Sequence, residues 1–527
     1  MDARNATTKQ GSGLSRRRFL QLSALTGATV LVQACAVPAP ATQPTSTDGA
    51  PARVVLDELR FMSNSAFPPP TPRESNTYWQ EIEKQTGVTI NCEMIPRAEY
   101  EEKLGAVLAS GDLPDALGGD QRSPIIRRAM LDGAFLDVGV LGLPEDTRGL
   151  PGLEVFPQSI WWNSSFNGVH YGIPTAGQRY QEAAFIRQDW LDALSIEMPT
   201  TTDELKAMIE AFAFQDPDGN GQNDTVGFSL GQRSGMLGWE QFMWPFEIPN
   251  GWRLEADGTL THRDLTEGMK ASLAYLAEIY ATGAINPDFP TLNRNNYNDE
   301  MASGLSGGYT HNLASGYDLV GAQLRQVVPS AVVYPMTPVE APGFAIQTYN
   351  RPGFNGKTQI RSDYGDDHEK AWALIEVIHY WMDPATETFV NFGFEGVHHV
   401  VNEDGSRTQT EQGTQDIQWI RAWSPRHYLE YVDAPYVTLE NKAKVREDTH
   451  RLQAFAVDDP TWGLYPELGG DDPTAALNEF TNVTFEAIVR GETSIDAFDS
   501  FVEDWYSRGG QTLVDAINET YNRVHNG

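Results

Sequence analysis

Between Val88 and Met94 apolar and polar side chains alternate: Val88, Ile90, Cys92 and Met94 against Thr89, Asn91 and Glu93. A period of two predicts a half-buried strand. Residues 74–86 before it suit a helix stopped by Gly87. Tyr100, Leu104, Val107 and Leu108 after it share one helical face, ended by Ser110-Gly111-Asp112. Leu113 to Leu117 then begins a short strand that runs out into Gly118-Gly119-Asp120. This β-α-β-α alternation predicts an α/β sheet with parallel strands. Ligands bind such sheets beyond the carboxyl ends of the strands. Asp120 is therefore a candidate acceptor for ligand hydroxyls, the plain alternative being a turn-stabilising aspartate.

A second block repeats the theme. Glu182 to Arg187 is short and apolar between polar neighbours, which suits a strand. Thr201 and Glu204 form a capping box, and Leu205, Met208, Ile209 and Phe212 follow on one helical face. Further helices are predicted over 266–281 and 366–383, the second with Trp372, Ile375, Ile378 and Met382 inward. Residues 402–416 are polar and read as a surface loop or hairpin.

The first of these helices runs into Asp216-Pro217-Asp218-Gly219-Asn220-Gly221-Gln222-Asn223-Asp224. Side-chain oxygens fall at positions one, three, five and nine of a calcium loop of EF-hand type, Gln222 at seven, and glycine at six for the sharp turn. The twelfth position, a bidentate Glu in an EF-hand, is Gly227 here. Structural calcium on Asp216, Asp218, Asn220, Gln222 and Asp224 is the expectation, and a metal-free Asp/Asn/Gly turn the alternative.

At the amino end, Ser15-Arg16-Arg17-Arg18-Phe19-Leu20 resembles a twin-arginine export signal. The apolar run from Leu20 to Ala34 falls short of the ~20 residues a membrane span needs, and has a signal peptide's basic flank. Val32-Gln33-Ala34-Cys35 resembles a lipobox, with cleavage before Cys35 and a lipid on its sulfur. Residues 36–53 are rich in Pro, Ala, Thr and Ser and read as an extended tether. Cys92 then has no partner, so it reads as a small buried apolar residue.

The chain has 527 residues, which predicts two or three domains. Its formal charge is −34, and the net +4 of residues 1–34 leaves −38 for the rest. That tells against nucleic acid and against a peripheral grip on anionic lipid. Two sequence motifs for catalysis are missing: there is no H-E-x-x-H and no P-loop. A glycosidase needs two opposed carboxylates, and 72 acidic residues supply a pair in any fold. His398 and His399, adjacent on a strand, face opposite ways and do not share a metal. Binding, and no enzyme activity, is expected. The aromatics outside clean helical stripes are candidate platforms for the apolar face of a sugar: Trp161, Trp162, Trp239, Trp244, Tyr309, Trp423, Trp462 and Tyr465. Asp120 and His398 are candidates for its hydroxyls.

Several segments, in order, resemble the extracellular solute-binding proteins of family 1, the lipoprotein components of ABC sugar importers. They are SGDLPDAL (110–117), YGIP (171–174), IRQDWLDAL (186–194), TTTDEL (200–205), DPDGNGQND (216–224), FGFEGVHH (392–399) and the stretch from Phe485 to Arg523. Within the family they most resemble the branch of lipoprotein LipO and the alginate-binding proteins. The resemblance implies a two-lobed α/β fold of the type II periplasmic-binding-protein kind, mixed sheets flanked by helices, with hinge strands between the lobes. It places the first lobe at 54–174 plus about 334–395, and the second at 175–333 plus about 396–525. Val332–Pro338 and Phe392–Val400 are then crossings, and GLSGGYTHN (304–312) the strand bearing a ligand-facing Tyr309. The implied function is capture of an oligosaccharide by a lipid-anchored monomer at the cell surface or in the periplasm, and delivery to ABC permease subunits. A binder of peptides or cationic solutes, a surface glycan-active enzyme, and a sensor without transport are the alternatives.

Overall fold

The computed structural model describes residues 56–526 apart from 66–69, 120–122, 181, 234–235, 404, 424–436 and 469–471. The export signal, Cys35, the tether, Asp120 and the side chain of Trp423 lie outside the described residues.

The alternating run is a strand, as its period of two predicts. Strands β1 (Glu58–Ser65), β2 (Thr89–Pro96) and β3 (Ala116–Gly119) pair in parallel with β1 in the middle. Helix α1 (Thr77–Thr86) joins the first two and α2 (Tyr100–Ser110) the second and third. Asn76 caps α1, its side-chain oxygen accepting from the Trp79 N–H, which starts the helix three residues later than its apolar pattern suggests. Strand β1 buries residues on both faces, whereas β2, at the sheet edge, leaves Asn91 and Glu93 exposed. Leu59, Phe61, Ile90 and Ala116 pack on one side with Tyr78 and Ile82. Met62 and Leu117 pack on the other with Leu104 and with Ile126 and Met130 of α3 (Pro124–Leu131). Strand β4 (Ile173–Ala176) follows at the far edge.

A second sheet has another plan. Strand β5 (Glu182–Arg187) lies between β6 (Gly308–Asn312) and β7 (Val333–Pro335), antiparallel to both. Ala184 and Ile186 face Leu205, Met208, Ile209 and Phe212 of α4 (Thr202–Phe214), and Leu273 and Leu276 of α5 (Glu267–Ala281). The Thr201–Glu204 capping box is formed as predicted. Phe185, Tyr309 and Val333 face a separate core.

After a short strand β8 (Thr348–Tyr349), the chain returns to the first sheet as β9 (Phe354–Ile360), antiparallel to β3 and β4 and inserted between them. Helix α6 (His368–His379) turns Trp372, Ile375 and Ile378 inward there. Helix α7 (Glu387–Phe392) and a hairpin of β10 (His399–Val401) and β11 (Arg407–Gln409) follow. Helix α8 (Glu411–Trp423) buries Ile417 in the same core. Helix α9 (Leu439–Gln453) instead packs Val445 and Leu452 on the second sheet. Strand β12 (Ala456–Val457) pairs with β8. Helices α10 (Thr474–Val489) and α11 (Gln511–Asn526) end the described chain.

Two expectations about crossings differ from this arrangement. Residues 333–335 belong to the second sheet, so the return to the first comes with β9 and not near residue 334. Residues 392–400 turn into a hairpin, and α8 stays on the first core, so the chain does not leave it at 395. Both follow from backbone pairing between distant segments, which a local apolar pattern does not encode. Among the described residues, no helix is long and apolar enough to cross a membrane.

Candidate functional site

Two described segments run between the sheets, 177–180 and 347–353, and they are bonded to each other. The Gly177 N–H donates to the Gly353 carbonyl at 2.8 Å, and the Arg351 N–H to the Arg179 carbonyl at 2.5 Å. Strand β12 braces the second segment: Thr348 N–H donates to Phe455 at 2.8 Å and Asn350 N–H to Val457 at 3.1 Å. Side chains extend the brace. Asp458 accepts from Asn350 Nδ2 at 2.8 Å and pairs with Arg179, and Arg351 pairs with Glu182 at 3.2 Å. Short bonded strands that cross between two packed bodies form a hinge.

The hinge fixes which strand ends face each other. Strand β9 leaves the hinge at Phe354 and pairs Lys357 with Gly119, so the carboxyl end of β3 lies at the hinge side. On the second sheet the hinge end is Glu182 opposite Asn312. Ligands bind outside strand carboxyl ends in such sheets. The polar groups on the hinge side are Arg351, Asn355 and Lys357 beside the carboxyl end of β3, and Glu182, His311 and Asn312 where the amino end of β5 meets the carboxyl end of β6. Lys357 is 2 % exposed. Its ammonium and, more strongly, burial hold the nearby His170 below the usual imidazole range, against Asp137 and Glu145.

A second contact joins the two bodies. Asn167, left-handed at φ 52°, donates its N–H to the Gly463 carbonyl at 2.7 Å. Its side chain exchanges two bonds with the Tyr465 backbone, at 3.0 and 2.7 Å. Phe166 and Tyr465 stack at 4.9 Å and 10°. Trp162 meets His525 of α11 at 4.8 Å. Asp459 starts this loop, its carboxylate accepting from the Thr461 N–H and hydroxyl and facing Gly251. Burial pushes the Asp459 carboxyl up to about 6, although Thr461 and Arg263 oppose it.

The predicted aromatics do not gather into one platform. Trp161 is packed against Phe156 and the edge of His170 in the first core. Trp244 lies in the second-lobe core. Tyr309 is fully buried, its hydroxyl donating to the Gly316 carbonyl at 3.0 Å. A ring enclosed on both faces has none left for a sugar, so these three are packing residues in this conformation. Trp162 and Trp462 are half-buried on the contact between the bodies. Trp239 is buried with one side lining a small cavity.

His398 is also interior, at 0 % exposure. Its Nδ1 accepts from the Phe394 N–H at 3.0 Å, and its Nε2 lies 3.4 Å from Asp416. Asp416 accepts from Gln412 at 2.6 Å and from the Thr71 hydroxyl. Burial holds His398 below the usual imidazole range despite Asp416. This network ties the hairpin to α8.

The acidic loop at 216–224 is on the surface and closes on itself. Asp216 accepts from the N–H groups of Asn220 and Gly221, both at 3.0 Å. The Asn220 amide NH2 sits between Asp218, at 2.9 Å, and Asp224, at 3.2 Å. Among the described residues no group of three or more His, Cys, Asp or Glu is placed to hold a metal. The side-chain chemistry, three carboxylates and an amide in nine residues, is of the oxygen-donor kind that calcium takes. Gly227 presses on the Ile209 carbonyl, so the twelfth position has no room for a side chain.

Sequence reasoning missed Asn167, Arg351, Glu182 and Lys357. Asn167-Gly168 is a turn dipeptide, and Lys357 is a lone charge inside the strand run Gly-Lys-Thr-Gln-Ile; those were the available signals.

Residues 77–386 match the family described as bacterial extracellular solute-binding protein. The polygalacturonan/rhamnogalacturonan-binding protein YtcQ of Bacillus subtilis (strain 168) is 25% identical over 460 residues, 84% of this chain and 88% of that one. Lipoprotein LipO of the same organism is 23% identical over 474 residues, 88% and 92% of the two chains. Among solved structures, an HMO-binding, ABC-transporter-associated solute-binding protein from Bifidobacterium longum infantis ATCC 15697 has a TM-score of 0.67 at 15% identity, covering 89% of this chain and 99% of that one. An EF-hand mutant of the S. pneumoniae substrate-binding protein FusA, in complex with fructo-nystose, has a TM-score of 0.63 at 20%, with the same coverage. The alginate-binding protein AlgQ2, without calcium ion, has 0.60 at 18%, covering 89% and 98%. The fold is thus the two-lobed one of these proteins, hinged where the strands cross, and the chain belongs to the bacterial extracellular solute-binding proteins.

Proposed function

We propose that the protein captures an oligosaccharide between its lobes outside the cell and delivers it to an ABC permease. The observation that carries this reading is family membership joined to a hinge with polar strand ends on both sides. The named relatives bind polygalacturonan, rhamnogalacturonan, fructo-oligosaccharide or alginate, which supports carbohydrate as the class. The side chains at the strand ends act in binding and carry no reaction step. Asn355, Arg351, Glu182 and Asn312 would meet ligand hydroxyls, with Asp120 as a further acceptor. Trp162 and Trp462, on the contact between the lobes, are the aromatics left for stacking.

In the same reading Cys35 carries the lipid anchor after a twin-arginine signal is removed, and the protein acts as a monomer; the lipoprotein relative supports the anchor. Calcium would be held by side-chain oxygens of Asp216, Asp218, Asn220 and Asp224 and the Gln222 carbonyl. When bound it supplies only charge that fixes the loop. The EF-hand and calcium named in two related structures support it.

The test is calorimetric titration of the full-length chain against neutral and acidic oligosaccharides, peptides and polyamines. Binding of one saccharide class with no release of reducing ends is the expected result. Binding of peptides or amines alone sends the protein to another ligand class, and accumulating reducing ends make it an enzyme.

A further inference from the structure

The second lobe encloses a cavity of about 50 Å³ between α10, the start of α5 and residues 239–243. One wall is aromatic, Trp239 and Phe485. The other is polar: Glu240, Arg263, Asp264, Asn478, Thr481 and Asn482. This volume holds a few waters or the hydroxymethyl end of a sugar, given ~10–15 Å³ per water on this measure.

One hydroxyl of the polar lining lacks a partner among the described residues. Thr481 is 6 % exposed and its hydroxyl has no partner among the described residues. A helical threonine ordinarily bonds the carbonyl four residues back. Thr484, one turn on, does so, donating to Phe480 at 2.8 Å. Thr481 lines the cavity instead. Arg263 offers five donors and, among the described residues, pairs with Asp264 at 3.4 Å. The Tyr349 hydroxyl, also buried, has no hydrogen-bond partner among the described residues. It feels Arg263, Glu240 and Asp264, so the cluster adjoins the hinge strand β8. An unpaired buried group costs free energy, and the Thr481 hydroxyl, turned to the cavity, marks a place where something else completes it.

The other described cavities differ. The cavity of about 450 Å³ beside β2 is lined by groups already paired, Lys103 with Glu93, Arg60 with Asp112 and Arg73 with Glu83. The one of about 170 Å³ between α7 and α9 has no buried unpaired group in its lining.

We propose that the Trp239 cavity is a saccharide subsite of the second lobe, taking the hydroxyl-bearing end of a neutral sugar. It rests on the carbohydrate reading above and names part of what the second lobe recognises. Two carboxylates against one guanidinium leave the wall negative, which disfavours a uronate. Donors from Arg263 and the asparagines and acceptors from Glu240, Asp264 and Thr481 suit hydroxyls, which do both.

The experiment titrates the full-length chain, Thr481→Val and Glu240→Gln with 1-kestose, maltotriose, xylotriose and trigalacturonate, and records Tm for each. Thr481→Val keeps the shape and removes only the hydroxyl. It is expected to leave Tm unchanged or raised while weakening the bound neutral sugar roughly tenfold, one lost ligand bond. Glu240→Gln is expected to narrow the preference for neutral sugar over trigalacturonate. Unchanged affinity in both variants overturns the subsite and leaves the carbohydrate reading standing. So does a wild type that binds only trigalacturonate. A wild type that binds no saccharide overturns both.

Discussion

The two lobes solve the same burial problem in opposite ways. The first uses three parallel strands joined through helices, with an apolar core on each side of the sheet. The second uses a three-stranded antiparallel sheet and hands most of its burial to helices and aromatic side chains arriving from far along the chain. The parallel strands of the first lobe are consecutive in the chain, and β9 joins them from far along it. In the second, Trp239, Trp244 and Phe485 meet only because α10 returns to α5. An aromatic in irregular sequence therefore means something different in each lobe, and in the second it means core first.

Removing the core aromatics tests that most strongly. Trp244→Ala in the second lobe and Trp161→Ala in the first are each expected to cost about 3–5 kcal/mol. Urea unfolding checks this. A Trp244→Ala protein with wild-type stability and lost ligand affinity would restore that ring to the binding site and break the contrast.

In the proposed reading calcium acts on a loop of the second lobe. At 100 times its dissociation constant it is expected to stabilise by about 2.7 kcal/mol, seen as a rise in Tm after chelation and re-addition. Asp216→Ala should abolish the rise. A rise that survives in Asp216→Ala places the ion elsewhere.

The buried His398–Asp416 pair sharpens the first-lobe side. His398→Ala is expected to cost about 1–3 kcal/mol, because it strands the Asp416 carboxylate. Because His398 is held below its unfolded value of 6.5, the fold favours the neutral ring. Its contribution is present above pH 6.5 and is lost as pH falls through the lowered pKa. Stability against pH between 7.5 and 5, compared between wild type and His398→Ala, reads this directly.

The smallest effect lies between the lobes. Asp459 has a folded pKa of about 6 against 3.8 for the free side chain, so the fold favours its protonated form. Its destabilising effect grows as pH rises from about 4 and is complete above about 6. Asp459→Asn keeps an acceptor for Thr461 and is expected to raise stability on the order of 1 kcal/mol at pH 7.5 and little at pH 5. Thermal melts at the two pH values measure it. An equal change at both would show that the carboxyl does not titrate in this range.

Much of this was legible before any coordinates. The period of two from Val88 to Met94, the capping box at Thr201 and Glu204, and the inward face of Trp372, Ile375 and Ile378 are local, because they depend on repeats of two or 3.6 residues and on one hydrogen bond. The order of short motifs sufficed to indicate the family, and with it the two-lobed fold. The acidic loop was visible as ligand spacing, and the tertiary structure adds that Gly227 is pressed against a carbonyl.

Only the tertiary structure decided where chains cross and which polar groups meet. That β7 pairs with β5, and that β9 slots between β3 and β4, is settled by backbone pairing between residues more than a hundred apart. The same distance hides the Arg351–Glu182 pair, the Asn167 clasp on Tyr465 and the burial of His398. A residue's type states what it is able to bond. Whether its face is enclosed or open depends on what the rest of the chain brings beside it, and no local period carries that.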